Sequence, residues 1–155
     1  MLLENEVYRQ IKEVDVTSIL PVLYKVVFRD SEGECAFVSK RKHGGSCVPK
    51  EVDDLVEGLG LGGVTRRVFL RKLMPRQGIH LHTDDWIEQH GAWSRFQIPL
   101  VTHPDIKMCW SEDDVSVHLK VGFLYQVRFD RPHMVVNDTD YERIHIQIDQ
   151  EDATI

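Results

Sequence analysis

The sequence has few cysteines, and its three are not arranged to do anything together. Cys35, Cys47 and Cys109 are odd in number and widely spaced, so they build neither a disulfide framework nor a C-x-x-C zinc knuckle. They read as ordinary thiols in a reducing compartment. No apolar run approaches the length needed to span a membrane. The first residues, Met1-Leu2-Leu3-Glu4-Asn5-Glu6, turn acidic without the apolar core of a secretory signal, so a cytoplasmic location is expected. Excess positive charge is also missing. With 25 acidic against 19 basic residues the net charge is −6, which disfavours a general nucleic-acid binder. The glycines at 58, 60, 62 and 63 are not followed by Gly-Lys-Ser/Thr, so they form a turn rather than a phosphate loop.

What remains is a soluble globular composition, 42% hydrophobic and 28% charged, in 155 residues. That is enough for one domain with a real core. The first 64 residues carry mixed signals. Asp15 or Thr17 suits a cap for a short helix that Pro21 must end or shift, and Val22–Phe28 fits either a strand or a helical turn. Residues 29–49 read as turn and loop, with a basic run at 40–43 taken as a solvated loop. Pro49–Gly58 reads as a helix: proline suits its first turn, Val52, Leu55 and Val56 have helical spacing, and Gly58 suits its stop.

From Thr65 onward the pattern is one of short strands. They are expected at 65–74, 79–84, 94–101, 106–110, 115–120, 123–129, 133–136 and 143–148, punctuated by Pro, Gly, Asn and Asp. This spacing predicts an all-β sandwich or barrel. In the last strand Ile144, Ile146 and Ile148 alternate with Arg143, His145 and Gln147. Arg95 and Gln97 likewise share a face opposite Phe96 and Ile98. Such polar faces fit a solvated surface or the interior of a barrel that holds a ligand, and periodicity does not choose between them.

Chemistry concentrates in Ile79-His80-Leu81-His82-Thr83-Asp84-Asp85-Trp86. His82 and Asp84 are two apart, so an extended chain points both to one side. His133, far downstream in Arg131-Pro132-His133, completes two histidines and a carboxylate, the usual ligand set of a non-haem Fe(II) oxygenase. His80 lies on the same face as His82, so a His80–His82 pair remains an alternative. An anionic co-substrate needs a fixed counter-charge. Arg143, ten residues after His133, is the candidate, with Arg95 as a second. Thr83 or Gln97 would orient neighbouring groups. His43, His90, His103, His118 and His145 have no suggestive spacing and read as surface groups or groups just behind a site. The tryptophans at 86, 93 and 110 read as core or cavity wall.

Five blocks, in order, carry a resemblance: Leu73-Met74-Pro75, His82-Thr83-Asp84-Asp85-Trp86, Arg95 to Thr102, Arg131 to Asp138, and Arg143 to Asp149. They resemble the aspartyl/asparaginyl β-hydroxylase family of Fe(II)/2-oxoglutarate dioxygenases, which includes proline hydroxylases. The resemblance implies a cupin-like double-stranded β-helix (jelly-roll) barrel over residues 65–149, with residues 1–64 as N-terminal, partly helical decoration of a single domain 1–155. It implies His82, Asp84 and His133 as iron ligands and Arg143 as the anchor of the distal 2-oxoglutarate carboxylate. Arg95 and Gln97 would face the co-substrate or substrate pocket, although Gln97 stands where the family more often has histidine. The implied reaction consumes O2 and 2-oxoglutarate, releases succinate and CO2, and hydroxylates a C–H bond. The substrate would be an amino-acid-like small molecule, somewhat favoured here, or a residue within a peptide, with neither nucleic acid nor membrane as partner. The rival readings are a cupin-fold metal enzyme that does not use 2-oxoglutarate and a non-catalytic binding or regulatory module.

Overall fold

A computed structural model describes residues 2–26, 28, 37–39 (backbone only), 48–84 and 93–152. The turn at 30–34, the basic run at 40–43, Cys35, Cys47, Asp85, Trp86 and His90 lie outside the described residues.

Ten described strands form two antiparallel sheets. The larger takes β1 (Tyr8–Glu13), β8 (Phe123–Val127), β5 (Trp93–Val101), β10 (Arg143–Glu151), β3 (Val64–Leu73) and β2 (Phe37–Ser39), in that order. The smaller takes β4 (Ile79–His82), β9 (His133–Val136), β6 (Lys107–Trp110) and β7 (Val115–Val117). From β3 onward successive strands swap between the sheets, apart from the adjacent β6–β7 pair, as in a jelly roll. The strands expected after residue 65 all form, most within a residue or two of their expected ends. Two more come from the N-terminal region: the polar start supplies β1, and the stretch read as loop supplies β2. β1 pairs with β8 and β2 with β3, so this region supplies both edges of the larger sheet.

Burial explains the alternation in β10. Ile144, Ile146 and Ile148 belong to one apolar core with Val68, Leu70, Phe96, Ile98 and Leu124 from the same sheet. That face is covered by Ile19 and Leu23 around a 3-10 helix (Leu20–Lys25) and by Val52 and Val56 of α1 (Lys50–Gly58). Pro21 sits in the first turn of the 3-10 helix, where its missing N–H costs nothing. Asp15 forms a turn ahead of it, accepting from the Thr17 amide at 3.0 Å. Glu51 and Asp53 in the first turn of α1 suit its positive end. The apolar face of the larger sheet is therefore roofed by helices. Its other face looks into the sandwich, towards the smaller sheet.

A second apolar cluster closes one end of the sandwich around Trp110 and Tyr125. The Trp110 indole is fully buried and donates to the Arg128 carbonyl at 2.9 Å, so this tryptophan is core. Cys109 is a free thiol beside Ser116 Oγ at 3.3 Å. No helix among the described residues is long and apolar enough to cross a membrane.

Candidate metal centre and its cavity

The centre is assembled by one register. β4 pairs with β9 so that His82 stands opposite His133. Gly78, just before β4, permits this approach, because a Cβ there would collide with the Val135 carbonyl oxygen on β9. The two imidazole rings lie 4.4 Å apart between centroids. β4 ends at His82, earlier than the sequence pattern suggests, and Asp84 lies just beyond it. Its backbone amide donates to the Phe129 carbonyl at 3.2 Å, which holds its carboxylate beside the histidines. Asp84 Oδ1 is 3.8 Å from His82 Nε2, and Asp84 Oδ2 is 3.5 Å from His133 Nε2.

The histidine tautomers fit a metal. His82 Nδ1 lies 2.8 Å from the His80 carbonyl, and His133 Nδ1 lies 2.7 Å from the Arg131 carbonyl. A carbonyl oxygen only accepts, so each Nδ1 carries a proton and each Nε2 is the ring nitrogen left to face a metal. Arg131 is itself fixed by Asp113 and, at 2.6 Å, by the Glu4 carbonyl. Burial, helped by His82 and Arg95, pushes the His133 pKa down, against the raising effects of the Arg131 carbonyl and Asp84. One ligand atom from each of His82, Asp84 and His133 falls within 4.8 Å of the others, and this is the one such group among the described residues. The donor set, two imidazoles and one carboxylate, suits Fe(II) and leaves room for further ligands. The alternative His80–His82 pair does not form a centre: His80 is exposed, its ring is 5.8 Å from that of His82, and it belongs to no ligand group.

Behind Asp84 is a buried charge network. Arg95 on β5, 6% exposed, donates to Asp84 Oδ2 at 2.8 Å and to Asp149 on β10 at 2.7 and 3.2 Å. Asp149, fully buried, also accepts from Arg67 on β3 at 2.7 Å. The Arg95 guanidinium lies 4.6 Å from the Phe129 ring centroid. Burial disfavours its charge, but Asp149 and Asp84 more than offset this and its pKa is raised. Arg95 thus lines the cavity as expected, yet its fork is committed to two carboxylates. It aims Asp84 rather than waiting for an anion.

His82 and His133 share a small cavity of about 20 Å³ with the polar face of β10. His82 and His133 contribute from the smaller sheet, and Arg71, Arg95, Gln97, Arg143, His145 and Gln147 from the larger. Arg143 is 4% exposed and donates to Gln97 Oε1 at 3.3 Å. The same oxygen accepts from His145 Nδ1 at 3.0 Å. Gln97 therefore fixes two neighbours. The Gln147 amide lies between Arg71, at 3.5 Å, and Arg95, at 3.2 Å when its oxygen faces that guanidinium.

Every candidate read from the sequence, His82, Asp84, His133, Arg95, Gln97 and Arg143, lies at this cavity or in contact with a residue that lines it. Sequence reasoning missed Arg71 and Asp149, and of the two places it left open for His145, the surface or just behind a site, the surface is excluded: His145 is 3% exposed in the cavity wall. The signal for His145 was present: it alternates in phase with Arg143 and Gln147. His103 stacks on Tyr141, and His118 Nδ1 donates to the Ile106 carbonyl at 3.2 Å; neither joins the metal group.

No family model matches the sequence, and no curated protein matches it. Among solved structures, the chain is similar to a viral collagen prolyl hydroxylase from Paramecium bursaria Chlorella virus-1, in its 2OG complex. The TM-score is 0.66 at 11% identity, covering 96% of this chain and 97% of that one. It is also similar to a prolyl-4-hydroxylase from Pseudomonas putida, with TM-score 0.57 at 13% identity, covering 95% and 93% of the two chains. A weaker likeness is to a Cupin 2 conserved barrel domain protein from Salinispora arenicola, with TM-score 0.49 at 10% identity over 83% and 85%. At these identities the likeness to the two hydroxylases is one of fold, a mainly antiparallel β-sandwich.

Proposed function

We propose that this protein is an Fe(II)- and 2-oxoglutarate-dependent hydroxylase of the aspartyl/asparaginyl β-hydroxylase type. Its substrate would be an amino-acid-like small molecule or an amino-acid side chain in a peptide, met in the cytoplasm. The observation that carries this is the convergence of His82, Asp84 and His133 within 4.8 Å, beside a cavity that both histidines line and whose wall also holds Arg143. Two neighbours of the same fold are prolyl hydroxylases, one of them described in its 2OG complex, which supports the choice.

Fe(II), when bound, would supply O2 activation coupled to oxidative decarboxylation of 2-oxoglutarate to succinate and CO2. The chain's own residues would do the rest. His82 and His133 would offer their Nε2 lone pairs, already freed by the carbonyl bonds at Nδ1. Asp84 would add one negative charge, its carboxylate oriented by Arg95. Arg143 would hold the distal carboxylate of 2-oxoglutarate, its guanidinium steadied by Gln97. Burial of this wall would exclude water and strengthen the charge–charge contact.

The test is succinate formation from 2-oxoglutarate with Fe(II) and ascorbate in air, for wild type and His133→Ala, with a panel of amino acids added. Succinate that depends on His133 is expected, and the additive that raises it identifies the substrate class. No succinate, with no metal-dependent 2-oxoglutarate binding, would leave a binding module in its place.

A further inference from the structure

His145 is the buried polar group of this cavity that the proposed chemistry leaves unused. It stands on β10 between Arg143 and Gln147 and is 3% exposed. An amide oxygen only accepts, so the contact with Gln97 Oε1 puts its ring proton on Nδ1. Nε2 is then a bare lone pair, and it is buried with no hydrogen-bond partner among the described residues. An unsatisfied buried acceptor is costly, and native structures keep such atoms where a ligand or water completes them. His145 and Arg143 together line both the main cavity and a smaller one of about 10 Å³. One Gln97 oxygen locks imidazole and guanidinium side by side.

The groups around His145 are cationic or neutral. Arg143 lies on its own strand, and Arg71 is its register partner on β3. His118 follows β7, Lys107 on β6 lines the smaller cavity, and His82 and His133 line the main one from the opposite sheet. Burial first, then Arg143, His118 and Arg71, keep the His145 pKa well below its ordinary value, so the ring is neutral before a ligand arrives. A carboxylate seated at Arg143 reverses the balance. It screens the neighbouring guanidinium, and it meets a lone pair that repels it unless Nε2 carries a proton.

We propose that His145 is part of the co-substrate's anion seat: the carboxylate held by Arg143 also accepts a hydrogen bond from His145 Nε2, whose proton is taken from solvent as the anion binds. One N–H bond forms at Nε2, a buffer acid loses its proton, and nothing is oxidised or reduced. The inference rests on 2-oxoglutarate being the ligand at Arg143.

The test is calorimetric titration of 2-oxoglutarate into the Mn(II)-loaded protein, in two buffers of different protonation enthalpy. The bound metal keeps His82 and His133 from titrating, and both ligand carboxylates are ionised near pH 7.5. Wild type is expected to take up close to one proton per ligand. Its affinity should fall as pH rises, by up to about tenfold per pH unit, the limit for one linked proton. His145→Asn retains an N–H for Gln97 but has no site for the proton, so it should bind without uptake and with pH-independent affinity. His118→Asn should keep the uptake, and it decides the source if the His145 variant fails to fold. Wild-type binding without uptake, or uptake that survives in His145→Asn, would overturn the inference and leave the 2-oxoglutarate reading standing. No binding at all would remove both.

Discussion

The two faces of β10 are equally buried and do opposite things. Ile144, Ile146 and Ile148 pack in one apolar cluster with residues of α1 and the 3-10 helix. Arg143, His145, Gln147 and Asp149 are just as hidden, but they face the cavity or the charge network beside it. The apolar face gains by leaving water. The polar face would lose by it if its groups did not satisfy one another, through Gln97 with Arg143 and His145, and through Arg95 and Arg67 with Asp149. Burial therefore does not separate structural from functional residues in this strand. Side-chain chemistry does, and the strand's two-residue period sorts it.

This contrast can be broken at either face. The largest effect is expected opposite the polar face: His133→Ala should lose Fe(II) retention and succinate formation to background. Circular dichroism should show the sheets intact, because only one lining side chain is cut. On the apolar face, Ile146→Ala should cost about 2–5 kcal/mol of unfolding free energy by opening a cavity in a dry core. It should leave the Fe(II) affinity of the folded protein unchanged. A parallel fall in both quantities, measured by denaturant unfolding and metal titration, would mean the faces are not separable.

Smaller effects sharpen the division within the polar face. Arg143→Ala should raise the Kd for 2-oxoglutarate roughly 10- to 100-fold, from a charge-assisted contact worth about 1.5–3 kcal/mol. Iron retention should not change. Asp149→Asn should do the reverse, because it frees Arg95 and so loosens Asp84; a loss of Fe(II) affinity of roughly tenfold is expected, at the low end for groups behind a ligand. The smallest effect is in pH. His145 and His133 are both held below their ordinary value of 6.5, so the unfolded chain binds more protons than the folded one. Stability should be full above that pH and fall below it, by at most about 1.4 kcal/mol per pH unit for each group. Thermal melts of the metal-free protein between pH 7.5 and 5.5 measure this, and His145→Asn should flatten the slope.

Most of the sandwich was legible because its strands alternate cleanly and its turns carry Pro, Gly, Asn and Asp. The candidate metal ligands were picked out by the five ordered blocks of the resemblance, since an H-x-D pair alone arises often by chance. The role of the polar faces was not. An alternating strand looks the same whether its polar side meets water or a cavity, and only the helices over Ile144, Ile146 and Ile148 decide it. Those helices come from the N-terminal region, which has no motif, and so do the edge strands β1 and β2. β1 is exposed over most of its length, so no apolar period marked it. Arg95 was legible as a pocket residue but not as the holder of Asp84, because its tie to Asp149 spans 54 positions and depends on the β5–β10 register.

The most direct test of the polar face as one co-substrate site is anaerobic binding of 2-oxoglutarate to wild type with and without Fe(II), beside His133→Ala and Arg143→Ala. The expected result is binding that needs the metal, vanishes in His133→Ala and weakens in Arg143→Ala. Binding that ignores the metal, or that is indifferent to Arg143, would contradict it.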